Sequence, residues 1–144
     1  MKNPELNLED FGISHTSKFN EEGHYSVYKL REFAEKFPTV DISLDTLNHL
    51  MLEENDCWTD KEGNRVSPAQ IIADWWEAQK NPLWKQHVDK ISSADLDYPI
   101  WLTEEGHLID GMHRITKAFL KKEQIIKGKI LSNLPKEALI TKED

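Results

Sequence analysis

One change of period sets most of what this chain can fold into. From Tyr98 to Thr103 the chain is rich in β-formers, and Glu104-Glu105-Gly106 is a turn signal between two apolar runs. His107 to Ile109 continue as a second short strand. Beyond Gly111 the apolar positions switch to helical spacing, with Met112, Ile115 and Phe119 on one face, Ala118 beside them and lysines outside. The stretch therefore reads strand, turn, strand, helix, with Asp110, Gly111, His113 and Arg114 at the start of the helix. A helix start presents unpaired N–H groups and a partial positive charge, so it suits an anion. His113 and Arg114 add two side-chain donors to the same place.

The other segments supply partners for this unit. Val27, Leu30, Phe33, Ala34 and Phe37 fit an amphipathic helix from Tyr25 that Pro38 ends. Val40, Ile42 and Leu44 alternate with polar residues as a half-buried strand. Asp45 is placed to cap a helix through Leu47, Leu50 and Met51. Glu53 to Asn64 is a polar loop holding Cys57 and Trp58. Ser67-Pro68 supplies an N-cap and a first-turn proline for a helix through Ile71, Ile72, Trp75 and Trp76. At least one of that adjacent tryptophan pair must face outward. Asn81-Pro82 restarts the chain into a shorter helix with Leu83, Trp84 and Val88, and Gln124 to Leu131 is a closing strand.

The expected fold is α+β, one compact domain with a small mixed sheet and helices around it. The domain is placed at residues 25–134. Residues 1–24 read as a weakly ordered arm that Phe11, Ile13 and Phe19 could pin to the body. Residues 135–144 read as a polar C-terminal tail with one helical turn.

Composition narrows the function classes. No apolar run approaches the roughly 20 residues needed to cross a bilayer, and Met1 to Leu6 lacks the apolar core of a signal peptide. The single cysteine rules out an internal disulfide and suits a reducing, cytoplasmic setting. Net charge is −8, which disfavours sequence-independent binding to nucleic acid. The charge is uneven, however. Between Gly111 and Lys136, Arg114 and six lysines stand against Glu123, so this segment carries +6 and the rest −14. A local basic face on an acidic chain favours a small anionic ligand over a duplex.

No His or Cys pair has metal-ligand spacing, and Walker, Gly-x-Ser-x-Gly and Gly-x-Gly-x-x-Gly motifs are missing. Glu53, Glu54, Asp56 and Asp60 make an acidic loop. It is a solvated surface or the source of a carboxylate that takes a proton from a hydroxyl or helps to hold Mg²⁺. Glu54 and Asp56 are the candidates for that base.

The run Ile109-Asp-Gly-Met-His-Arg-Ile-Thr-Lys-Ala118 resembles the signature of the ParB/sulfiredoxin superfamily, Asp-Gly-x-His-Arg with Ala four residues after the Arg. Val40 to Leu44 looks like that family's opening strand, and Tyr98 to Leu102 like the strand before its motif. The order Cys57-Trp58, Ser67-Pro68 and Asp110 to Arg114 is also similar to small standalone ParB-like proteins. The resemblance implies a nucleotide phosphate-binding domain taking ATP or CTP with Mg²⁺, either a phosphotransferase or a nucleotide hydrolase acting on a small substrate. By the same resemblance Asp110, Gly111, Met112, His113, Arg114 and Lys117 form the phosphate site. Two departures narrow it further. Sulfiredoxins carry their reactive Cys where this chain has Met112, so sulfinic acid reduction is set aside. Partition proteins add a helix-turn-helix domain, and this chain ends soon after the closing strand. The alternative is a ParB-like module that binds DNA or protein through the basic C-terminal face without catalysis.

Overall fold

The change of period at Gly111 is a strand-to-helix turn. In the computed structural model, which describes residues 24–135 and 139–140, β5 spans Ile100–Thr103 and β6 spans Leu108–Asp110. After the single residue Gly111, α5 spans Met112–Leu120. Gly111 has φ +121°, and a Cβ there would lie 2.5 Å from Ile100 Cγ2 and 2.9 Å from Ile100 Cβ. Both facts demand glycine: one is a conformation L side chains rarely adopt, the other leaves no room for a methyl group.

The architecture is α+β, a mixed four-stranded sheet with several helices around it. The strand order is β2-β7-β5-β6, with β2 at Val40–Ser43 and β7 at Ile125–Leu131. Strand β5 runs parallel to β7, pairing Ile100 with Gly128 and Thr103 with Leu131. It runs antiparallel to β6, with a register shift between Trp101 and Leu102. All four residues of β5 are buried, which is why it reads as a continuous β-forming run and not as an alternation. A second small pairing joins β1, His24–Tyr25, to β8, Leu139–Ile140. Strand β8 lies in the segment expected to be a polar tail. The expected arm at residues 1–24 lies, apart from His24, outside the described residues.

The contacts divide the chain into two compact units. One comprises the described parts of Met1–Val40, Ile100–Gly111 and Gly128–Asp144. Its core is Leu30, Ala34, Trp101, Ile109 and Leu131, with Phe33, Phe37 and Leu134 packed on it. Leu30 and Ala34 come from α1, Val27–Ala34, whose Ser26 side chain accepts from Lys29 N. The helix stops short of Pro38 because the chain leaves the helical ladder through turns at Lys36 and Phe37.

The other unit comprises Asp41–Pro99 and Met112–Lys127. Its core is Val66, Ile71, Ala78, Val88 and Ile91, with Trp58, Ile72, Trp75, Trp84 and Leu120 around it. Three local expectations change here. Leu44–Met51 winds as a 3-10 helix entered through Ser43, so Asp45 sits in its first turn and does not cap it. The second half of the expected loop holds β3, Trp58–Thr59, and the turn of a hairpin whose other strand, β4 at Arg65–Val66, follows the loop. Asp60 closes its turn by accepting from Glu62 N and Asn64 N. The Ser67 helix is two helices. α2, Pro68–Ala73, opens with a reciprocal Ser67–Gln70 capping box, and Asp74 then leaves helical geometry to cap α3, Trp75–Ala78. Trp75 is half-buried and Trp76 is 67% exposed, dividing the pair as its adjacency requires. After Asn81 caps the turn Pro82–Trp84, α4 runs Lys85–Ser93 and buries His87, Val88 and Ile91.

Candidate functional site

His113 lies in the first turn of α5 and is held by two residues that its own motif does not contain. Its Nε2 is 3.2 Å from Nδ1 of His87 on α4, and His87 Nε2 is 2.7 Å from the Thr59 carbonyl oxygen on β3. Trp58 covers both imidazoles. Its ring centroid is 4.5 Å from His87 at 6° and 4.2 Å from His113 at 9°. Imidazoles on opposite faces of an indole would stand about twice the stacking distance apart. These two centroids are 5.4 Å apart, so they share one face of Trp58 as a pair of edge-bonded tiles.

The environment keeps both rings uncharged. His113 is driven down to about 3, first by burial, then by the repulsion it would meet from a protonated His87, and then by the charges of Lys90 and Arg114. His87 is also lowered, chiefly by burial and by Lys90, although its bond to the Thr59 carbonyl and the charge of Asp60 act the other way. At neutral pH the pair is two neutral imidazoles.

The two cations of the motif are attached to the protein's own backbone. Arg114 Nη1 donates to the carbonyls of Pro99 at 2.7 Å and Tyr98 at 3.2 Å. Lys117 Nζ donates to the carbonyls of Ser92 at 2.9 Å and Ala94 at 2.8 Å, where α4 ends. A lysine at a helix C-terminus satisfies carbonyls that the helix cannot. Thr116, fully buried, returns its hydroxyl to the Met112 carbonyl at 2.7 Å. Asp110 and Met112 are half-buried, Asp110 opposite Trp101 in the sheet.

Of the two proposed bases, Glu54 is exposed and Asp56 lies 3.8 Å from Arg65, also at the surface. Cys57 is exposed as a residue, yet desolvation pushes its thiol up. A raised thiol stays protonated at neutral pH, the reverse of an activated nucleophile. Within the basic segment, Lys127 reaches Asp97 at 3.5 Å and Lys129 donates to the Ala34 carbonyl at 3.0 Å. Lys121 and Lys122 are exposed.

Motif reasoning does not reach His87, and it names Trp58 only within the Cys57-Trp58 resemblance, with no role beside His113. The available signal was a histidine on the apolar face of α4, beside Val88 and one turn before Ile91. Among the described residues no helix is long and apolar enough to cross a membrane. No family model, curated protein or solved structure matches the chain.

Proposed function

We propose that the chain is a nucleotide-binding domain of the ParB/sulfiredoxin kind, taking the phosphates of ATP or CTP at the turn from β6 into α5. The observation that supports this is the position of Asp110-Gly-Met-His-Arg114, which stands at a strand end and opens a nine-residue helix. The first-turn amides of such a helix favour an anion through their unpaired N–H groups and the helix dipole. Mg²⁺ usually needs only one or two carboxylates beside the phosphates, so it requires no all-protein cage. Asp110 is the carboxylate that the motif itself offers. The chemistry that fits is phosphoryl transfer to a small hydroxyl substrate, or hydrolysis of the nucleotide; Glu54 or Asp56 is the candidate base for the transfer, and His113, held by His87, is a further acceptor at the helix start. Arg114 and Lys117 place positive charge near the helix start while holding the adjacent backbone.

The test is calorimetric titration with ATP and CTP, each with and without Mg²⁺. Saturable heat and a matching rise in melting temperature are expected for at least one nucleotide. No heat and no thermal shift with any of them overturns the reading.

The alternative, a DNA- or protein-binding module without catalysis, draws support from Trp76. This indole is 67% exposed, with Lys80 Nζ 4.6 Å from its ring centroid, and tryptophan is a residue type enriched at interfaces. It ranks second because Lys127 and Lys129, two of the six lysines in the basic segment it would use, already serve contacts within the chain.

A further inference from the structure

The hydrogens in the histidine pair follow from one fixed point. A carbonyl oxygen only accepts, so His87 Nε2, 2.7 Å from Thr59 O, must carry a hydrogen. In a neutral ring His87 Nδ1 is then a lone pair. His113 Nε2, 3.2 Å away, must donate to it. The assignment ends at His113 Nδ1, which is left holding a lone pair. The opposite arrangement would require an imidazolium at His87, a residue only 9% exposed that faces His113, Trp58 and the nearby Lys90, with Asp60 as the opposing charge.

We propose that His87 is a positioning residue that fixes His113 as a neutral acceptor, so that the ligand group meeting His113 Nδ1 is a hydrogen-bond donor such as a hydroxyl, and not a phosphate oxygen. The identity of the ligand rests on the nucleotide reading above, whereas the tautomer does not. Two lone pairs repel, so an ionised phosphate oxygen gains nothing at Nδ1. A hydroxyl placed there completes a chain from ligand through His113 and His87 to Thr59 O, each member donating to the next. Chains of this kind fix ring orientation as well as tautomer.

The experiment is long-range ¹H–¹⁵N correlation NMR of the histidine rings in the whole chain at neutral pH. Without ligand, His113 is expected to show an unprotonated Nδ1 and a protonated Nε2. In His87→Phe, which keeps an aromatic ring against Trp58, His113 should divide between both tautomers. A wild-type Nδ1–H, or a tautomer unchanged in the variant with the fold retained, overturns the positioning role. With saturating ATP and Mg²⁺, His113 should stay neutral. An imidazolium in that complex overturns the donor-ligand assignment. If no nucleotide binds, the nucleotide reading fails, and the spectra of the free protein still decide the role of His87.

Discussion

His113 Nε2 and His87 Nδ1 meet at 3.2 Å although 26 residues separate them in the chain. The contact makes each ring depend on the other's neutrality. A proton added at His87 Nδ1 removes the acceptor and sets two donors face to face, whereas one added at His113 Nδ1 leaves this bond in place and puts a charge beside its buried partner.

Stability should consequently depend on pH in a defined direction. Both histidines are lowered in the folded state, His113 to about 3. Between the unfolded value of 6.5 and the folded values, the unfolded chain holds more protons than the native one. The stabilisation is therefore full above about pH 6.5 and is lost as pH falls through that window. Each proton taken up on unfolding contributes a slope of about 1.4 kcal/mol per pH unit. Urea unfolding from pH 7 down to 4.5 measures it, and His113→Phe should flatten the slope by up to one proton.

Removing the indole should release His113. Burial is the largest cause of its lowered value, and Trp58 covers its ring at 4.2 Å. In Trp58→Leu the His113 value should climb from about 3 toward the ordinary 6.5, followed by NMR titration. A value that stays put would show that the rest of the unit, and not the indole, desolvates the ring.

Gly111→Ala should be among the most damaging small substitutions. It adds a Cβ within 3 Å of two Ile100 side-chain atoms and forces an alanine to φ +121°. Backbone strain of this kind and overpacking each cost about 1–3 kcal/mol. A loss of about 2–5 kcal/mol is expected in denaturant unfolding. The result bears on function as well, because this glycine has a packing reason to exist whether or not a phosphate approaches it.

Arg114→Ala should weaken the fold before any ligand is added. The side chain donates to Tyr98 O and Pro99 O, and bonds involving a charged group contribute about 1.5–3 kcal/mol when well formed, less at this partly exposed site. Thermal unfolding gives the structural part. Nucleotide titration well below the variant's melting temperature gives any further loss, and the nucleotide reading expects one.

The region around Gly111 was legible because three signals agreed there: β-formers, a turn and a change of period. The closing strand was legible too, since Ile125 to Leu131 carries enough branched residues to be seen alone. The break at Asp74 was hidden. Trp75 and Trp76 continue the helical apolar pattern across it, while the Asp74 carboxylate accepts from Glu77 N and starts a new helix. The hairpin at Trp58–Thr59 and Arg65–Val66 has two residues per strand, too few to display an alternation. For the candidate site, local sequence located His113, Arg114 and Lys117 but not their work. Their partners, Thr59, His87, Ser92, Ala94, Tyr98 and Pro99, are set by tertiary folding and leave no local trace.

The two cations of α5 grip one short stretch from opposite ends: Lys117 holds Ser92 and Ala94, and Arg114 holds Tyr98 and Pro99. The chain between them makes a tight turn, with Tyr98 N returning to Asp95 O. It is laced to the helix like a shoe tongue, by side chains and not by a ladder of its own. Amides from Asp95 to Asp97 should thus exchange with solvent in concert, on a clock set by α5. A chemical change as small as acetylation of Lys117 would undo one end of the lacing while leaving the other tied.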